Sequence, residues 1–340
     1  MDNKLITNSK DNRLEIVRIM AIFLVIVLHV TNRYLIKISN ISSIDSIILI
    51  CINCITRISV PLFFMISGIV NIPKNYDSKK YFSRITRMII ILIIWTLIYY
   101  FMGDYKLINL YHAFFSFLKP HLWYMYALIG LYIATPFISK MIKNLDENEE
   151  KLFVKLWFVF SGVYYLFKVI MGLLEVDTSI SHPIPLFNAT YYFGYYIVGY
   201  LIYNNYNKVA KYNNKSMFLI IALCIIINTI LTVLVSFKNN IYYQGFFGYS
   251  NILIIIPSIL FLTIFLKNIK DKEYKIISYI CPYIFGIYLS HILILDKLME
   301  FVKITNTFYG CIIYVLITFL ISYILAFFIK KIPYISKYIC

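Results

Sequence analysis

The chain has 340 residues, of which 61% are hydrophobic and 14% charged, and its mean hydropathy is +0.77. Soluble domains average about 25% charged residues, so this composition excludes an ordinary water-soluble protein. The scarcity of Gly and Pro also excludes a collagen-like or disordered chain. A formal net charge of +16 would suit a nucleic-acid-binding protein, so the distribution of the basic residues decides what the charge means.

Ten apolar stretches, each about 17 to 25 residues long and therefore able to cross a bilayer, follow one another along the chain. They predict an all-α integral membrane protein, a bundle of about ten transmembrane helices forming a single domain over residues 1–340. The predicted spans are 14–34, 45–70, 85–102, 121–142, 152–174, 189–206, 217–236, 249–267, 276–296 and 309–329.

The basic residues alternate between the segments that connect these spans. Of the 32 Lys and Arg residues, 23 fall in one alternating set of segments, 8 in the other set, and Arg57 lies inside a span. Basic residues are retained on the cytoplasmic side, so both termini are predicted to be cytoplasmic. The positive charge therefore indicates topology, and a nucleic-acid partner is excluded. The first apolar run is interpreted as a span and not as a cleaved signal peptide.

Some polar features predict no function. Cys51 and Cys54 form a C-x-x-C inside the second span, where free cysteines are expected to pack as small apolar residues. The acidic segment Asn144–Lys151 (NLDENEEK) is expected to be a solvated loop. An ordinary loop, rather than a glycan-binding one, is expected around three further polar residues, Glu175, Asp177 and His182.

Ionisable residues inside a membrane segment are costly and are candidates for function. Ten residues separate Arg18 from His29 in the first span, so the two side chains share one helix face with an axial offset of about 16 Å. Glu15 lies three residues before Arg18 on that face and can pair with it. Taken singly, Arg18 could be a topological anchor and His29 an interfacial residue, but their common face favours a function.

Five segments resemble, in order and spacing, those of one family. They are the Arg18–His29 helix, Thr56–Val70 (TRISVPLFFMISGIV), His121–Ile133 (HLWYMYALIGLYI), Tyr192–Leu201 (YFGYYIVGYL) and Phe285–His291 (FGIYLSH). The chain thus resembles the acyltransferase family 3 membrane proteins, in their surface-polysaccharide O-acyltransferase-like branch. This resemblance implies transfer of an acyl group, usually acetyl from cytoplasmic acetyl-CoA, to a hydroxyl of a cell-envelope polysaccharide or lipid-linked glycan.

The resemblance also implies roles for the charged residues. His29 would deprotonate the acceptor hydroxyl or carry the acyl group itself. Arg18, paired with Glu15, would stabilise the thioester oxyanion or orient His29. Arg84 and Arg87, at the cytoplasmic start of the third span, match the paired arginines of the family and would bind the phosphates of CoA. Topological anchoring is the alternative for both arginines.

Four further residues are expected to contribute to substrate binding. Arg57 lies near the middle of the second span, where an Arg costs roughly 2.5–3.5 kcal/mol, and should face the bundle interior toward a substrate or a partner such as Glu15. His121 and Trp123 lie at the outer end of the fourth span, where an aromatic belt also accounts for the Trp. His291, in the ninth span, ranks second to His29 as a catalytic or acceptor-site residue.

An exporter or flippase of a polysaccharide or lipid-linked sugar is the alternative function, since ten helices with an Arg- and His-bearing core suit it equally. Such a protein needs neither CoA nor the paired arginines. No metal is expected. The predicted location is a cell membrane, and the richness in Ile, Lys, Asn and Tyr is typical of a bacterial AT-rich genome.

Overall fold

The computed structural model describes residues 11–37, 43–74, 76–103, 118–174, 185–304 and 307–333, and all regular structure within these ranges is helical. Helices are expected here because a segment in lipid must satisfy its backbone N–H and C=O groups internally. Nine helical stretches in the described ranges are long and apolar enough to cross a membrane. The prediction of an all-α membrane protein is therefore confirmed, while the side on which the termini lie stays a prediction.

The chain divides into two compact units, the first formed by Met1–Pro73 with Ser139–Ile277 and the second by Lys74–Ile138 with Ser278–Cys340. The α-helices in chain order are α1 (Asn12–Lys37), α2 (Ile44–Thr56), α3 (Ser59–Asn71), α4 (Ser78–Met102), α5 (Trp123–Lys143), α6 (Glu147–Trp157), α7 (Tyr164–Leu173), α8 (Pro185–Asn204), α9 (Tyr206–Val209), α10 (Asn214–Asn239), α11 (Ile252–Asn268), α12 (Lys275–Ile280), α13 (Ile284–Phe301) and α14 (Thr307–Lys331).

All ten predicted spans are largely helical, but one of them is not among the nine apolar stretches. This is α8, which has 20 residues and a length of about 30 Å. Its sequence includes YYFGYYIVGY, and the phenol groups lower its hydropathy. The structure thus supports a bundle of about ten helices in which one is tyrosine-rich.

The second predicted span, 45–70, is observed as one stretch, Ile44–Asn71. Its regular α-helical hydrogen bonding is interrupted between the end of α2 at Thr56 and the start of α3 at Ser59, where Arg57 and Ile58 keep right-handed helical dihedral angles. The cause is Pro61, which has no N–H to donate to the carbonyl of Arg57 four residues earlier. Regular bonding resumes when the N–H of Leu62 donates to the carbonyl oxygen of Ile58 at 3.1 Å.

Two glycines bring the backbones of α3 and α8 into contact. A Cβ atom on Gly68 would overlap the carbonyl oxygen of Tyr196, and a Cβ atom on Gly199 would overlap the backbone of Met65. Small residues are what allow such close approach of helices in membranes. The glycine of the V-P-L-F-F-M-I-S-G segment therefore acts in helix packing.

The acidic segment Asn144–Lys151 is mostly helical, so the prediction of a loop there is wrong. The Asp146 side chain accepts from the N–H of Glu149, and the Glu149 side chain accepts from the N–H of Asp146 at 2.8 Å. This reciprocal capping box satisfies N–H groups that have no partner at a helix start. α6 then leads through a π-helical turn at Phe158–Val163 into α7.

The start of α1 is tied to other helices of the first unit. Asp11 accepts from Arg13 and from the Tyr203 hydroxyl of α8, each at 2.8 Å, and Arg13 also donates to the carbonyl oxygen of Leu266 in α11 at 3.0 Å. Burial raises the pKa of Asp11, but the hydrogen bonds from Arg13 and Tyr203 outweigh it, so that this pKa lies below its ordinary value.

Candidate functional site

Arg18 and His29 lie on one face of α1, and α1 as a whole packs against α2, α3 and α11. Between them on the same face, Ile22 and Val25 are fully enclosed, so this face is directed into the first unit. Arg18 and His29 themselves each keep part of their surface exposed. The predicted common face is therefore observed, and both side chains are accessible to a ligand.

Arg18 is directed toward the start of α1. Its Nη1 atom lies 4.0 Å from Oε1 of Glu15, a buried carboxylate one turn nearer the N-terminus, as predicted from their spacing. His29 lies three turns in the opposite direction, about 16 Å along the axis. Arg18 and His29 thus suit the two ends of an elongated ligand better than a single reacting atom.

Arg57 is held by an amide and not by an acid. Its Nε and Nη2 atoms donate to Oδ1 of Asn53 at 3.0 and 2.8 Å. Asn53 in turn donates to Oγ1 of Thr31 at 2.9 Å and to the carbonyl oxygen of Leu28 at 3.3 Å. Because Thr31 lies about 24 Å along α1 from Glu15, the suggested pairing of Arg57 with Glu15 does not occur.

The Asn53–Arg57 pair lies at the level of His29 along α1 but on another face. His29 is rotated by about 100° from Leu28 and by about 160° from Thr31, the two residues that Asn53 contacts. The same residues are within about 3 Å of His29 along the helix axis. His29 and Arg57 therefore address different sides of α1.

The connection between α10 and α11 covers Arg57 with aromatic rings. Cζ of Arg57 lies 4.3 Å from the ring centroid of Phe247, a cation–π contact. Burial raises the pKa of the Tyr242 phenol, and the charge of Arg57 offsets part of that increase. Tyr165 holds the connection in place, since its hydroxyl donates to the carbonyl oxygen of Gly245 at 2.6 Å and accepts from the N–H of Gly248 at 3.1 Å.

The sequence reasoning missed this aromatic connection, although the run IYYQGFFGYS between two spans was visible as a signal. Aromatic residues at the end of a span are ordinarily explained by the interfacial belt. What the sequence does not contain is the contact between this run and an arginine of α2, which depends on how α2 and α10 pack.

The second unit brings two of the predicted residues together. The rings of His121 and His291 lie 5.2 Å apart between their centroids, and both contact the ring of Tyr288. Nδ1 of His291 lies 2.6 Å from the carbonyl oxygen of Tyr288. Because a carbonyl only accepts, Nδ1 carries the hydrogen, and Nε2 is the accepting nitrogen of the neutral ring.

These two histidines are enclosed. His121 is 4% exposed and His291 is 0% exposed, and the Tyr99 ring packs 5.2 Å from that of His121. The Tyr288 hydroxyl donates to the carbonyl oxygen of His121 at 2.6 Å. Both histidines are thus buried among tyrosine rings, and their role at an acceptor site stays a prediction.

The other predicted residues of the second unit lie apart from this cluster or at its edge. Arg84 and Arg87 are exposed on α4. Trp123 is half-buried with its ring 6.1 Å from that of Tyr124. Three polar residues considered for glycan binding lie outside the described residues: Glu175, Asp177 and His182.

The family follows from a comparison over nearly the whole chain. Residues 11–327 match the family described as the acyltransferase domain. The chain belongs to this family. The resemblance seen in the five sequence segments is thereby confirmed, and membership supports a membrane acyltransferase with multiple spans. The match includes residues of both compact units.

Curated relatives of this acyltransferase-domain protein come from Staphylococcus aureus. Proteins of strains MRSA252, MSSA476 and MW2 are each 25% identical to it over 315 residues, which is 87% of this chain and 86% of theirs. Each is named a "probable poly-beta-1,6-N-acetyl-D-glucosamine export protein". No solved structure matches the chain.

Proposed function

We propose that the protein is a membrane O-acyltransferase that moves an acyl group, acetyl in the first instance, from cytoplasmic acyl-CoA to a hydroxyl of a cell-envelope polysaccharide or lipid-linked glycan. The observation that carries the proposal is the placement of Arg18 and His29 on one face of α1 in a chain of the acyltransferase-domain family. With both termini on the cytoplasmic side, Arg18 lies toward the donor and His29 toward the acceptor.

His29 is the base in this proposal. A neutral imidazole can take the proton of a sugar hydroxyl near neutral pH. The oxygen then attacks the thioester carbonyl carbon, the C–S bond breaks, and His29 returns the proton to the departing CoA thiolate. The products are the O-acyl glycan and free CoA, and no other reactant is required.

The donor is held by cations at its phosphate end. Arg84 and Arg87 are exposed and three residues apart on α4, and a guanidinium group binds phosphate oxygens in a bidentate manner. Direct transfer from the donor to the acceptor needs no second covalent carrier, whereas accumulation of an acyl-His29 adduct without acceptor would indicate a two-step transfer.

The test is release of CoA from acetyl-CoA by the purified protein in nanodiscs, where water takes the place of the acceptor hydroxyl and slowly hydrolyses the thioester to acetate and CoA. The wild-type protein is compared with His29→Ala and Arg84→Ala, and Lys79→Ala serves as the matched control because Lys79 is another exposed basic residue of α4. Release should vanish in His29→Ala with acetyl-CoA binding retained. In Arg84→Ala, binding measured by calorimetry should weaken, and Lys79→Ala should change neither quantity.

Export of a polysaccharide or lipid-linked sugar is the second candidate, and the name of the staphylococcal relatives favours it. An exporter does not need CoA. Absence of both acetyl-CoA binding and CoA release in the wild-type protein would therefore contradict acyl transfer and favour export.

A further inference from the structure

Arg57 is a cation at membrane depth whose partners are all neutral. Its guanidinium donates to Asn53 and stacks over Phe247, and it interacts with the phenols of Tyr242 and Tyr249. Among the described residues, no carboxylate lies within ion-pair distance of it. Charged residues in membrane spans are ordinarily paired or serve a ligand, so the missing counter-charge points to a ligand.

The backbone next to Arg57 supports the same conclusion. The break between α2 and α3 falls at Arg57 and Ile58, near the middle of a 28-residue span. Pro61 leaves the carbonyl group of Arg57 without a helical donor. The backbone of Arg57 and Ile58 stays right-handed helical, but its regular hydrogen bonding is interrupted, and interruptions in the middle of a span are typical of substrate sites in membrane proteins.

The guanidinium group of Arg57 is surrounded by neutral polar groups and aromatic rings. Asn53 accepts from Nε and Nη2 along one side of the group, and Phe247 covers one face. The phenols of Tyr242 and Tyr249 also interact with the group. Because a phenol can donate as well as accept, an oxyanion bound to Arg57 would find further hydrogen-bond donors beside it.

We propose that Arg57, with Asn53 and the aromatic connection between α10 and α11, forms a binding site for a carboxylate or phosphate group of the glycan substrate. The bidentate guanidinium supplies the charge, and the aromatic rings supply flat apolar surfaces for a sugar ring. This inference rests on the proposed function in one respect only, which is that the bound ligand is called a substrate. His29 points to another side of α1, so this site binds and positions the ligand and takes no part in proton transfer.

The site is tested by ligand-dependent thermal unfolding without any acyl donor, in phosphatidylcholine nanodiscs at constant ionic strength. The probes are glucuronate and glucose, which differ in one carboxylate, together with inorganic phosphate. A second set of nanodiscs contains phosphatidylglycerol. Wild-type protein is compared with Arg57→Met and with Lys238→Met, which removes an exposed positive charge from the end of α10.

Glucuronate or phosphate should raise the wild-type Tm by about 2 °C or more, and glucose should not. The rise should persist in Lys238→Met and disappear in Arg57→Met. The Tm of Arg57→Met without ligand should itself be lower than that of the wild type, because the buried Oδ1 of Asn53 loses its donors. A Tm rise with glucuronate would identify the ligand group as a sugar carboxylate, and a rise with phosphate would identify it as a phosphate. A rise that occurs only in phosphatidylglycerol nanodiscs would identify it as the phosphate of a lipid.

A wild-type Tm that responds to none of these oxyanions would overturn the proposal, as would an equal response in Arg57→Met. If Arg57→Met does not fold, Arg57→Lys replaces it. This variant retains the charge without the bidentate edge and should bind the same oxyanion about tenfold more weakly. CoA release is measured separately, so loss of this site and loss of the acyltransferase reaction are distinguishable.

Discussion

The two compact units differ in how far the basic side chains and histidines of their membrane segments are exposed. In the first unit, Arg18, His29 and Arg57 each keep accessible surface within predicted membrane segments. In the second unit, His121 and His291 are enclosed by tyrosine rings. We expect the accessible residues of the first unit to contact a ligand and the enclosed histidines of the second unit to stabilise the packing.

Among the variants that test this difference between the units, the largest loss of activity is expected for His29→Ala. General base catalysis contributes about 10²–10⁴-fold to a rate, so CoA release in the presence of an acceptor should fall by that factor while the Tm stays close to wild type. The variant His29→Gln retains a polar side chain that cannot act as a base near neutral pH, so its rate of CoA release should fall by the same factor. Full activity in either variant would show that His29 is not the catalytic base.

His291→Leu is expected to affect stability and not catalysis. It removes the bond from Nδ1 to the Tyr288 carbonyl and disturbs the contact with His121, which should lower the free energy of unfolding by about 1–3 kcal/mol. Activity per folded molecule should stay within twofold of wild type. If release of CoA is abolished while the unfolding curve is unchanged, the reactive histidines are the enclosed ones of the second unit and not His29.

In the first unit, Asp11→Asn should lower the free energy of unfolding by about 1–2 kcal/mol at pH 7, since hydrogen bonds to a charged group are lost in a partly exposed position. The pKa of Asp11 lies below its ordinary value of 3.8. This stabilisation is therefore present above about pH 4 and is lost as the pH falls through the folded-state pKa. Denaturation curves of wild type and variant should converge at low pH; a constant difference down to pH 2 would contradict the assignment.

The smallest effect is expected for Tyr99→Phe in the second unit. The Tyr99 hydroxyl donates to the carbonyl oxygen of Leu289 at 2.8 Å and accepts from the N–H of Leu293 at 3.3 Å. Its loss should decrease the free energy of unfolding by about 0.5–1.5 kcal/mol. Tyr279→Phe removes a hydroxyl from an exposed ring and should have no measurable effect. Equal effects in both variants would mean that the bond between α4 and α13 contributes nothing.

The helices could be predicted from the sequence because their signal is local. A run of apolar residues long enough for a bilayer specifies a helix whatever its neighbours are. Two local signals were nevertheless overlooked. Pro61 marks the break at Arg57, and Asp146 with Glu149 has the spacing of a capping box.

The sequence predicted the arrangement of site residues only where those residues lie on the same helix. Helical periodicity alone placed Arg18 and His29 on a common face. The contact between His121 and His291, and that between Arg57 and Phe247, join segments more than 150 residues apart. Such contacts depend on the rotation and depth of each helix in the bundle, which no local pattern contains.

The glycine contacts between α3 and α8 have a mechanical consequence for the first unit. Where two backbones touch, there are no intervening side chains whose rotamers can change, and close-packed interiors transmit displacement instead of absorbing it. We therefore expect α3 and α8 to move together as one rigid body. Bending of the second span should then occur at Arg57 and Ile58, where a helical hydrogen bond is missing.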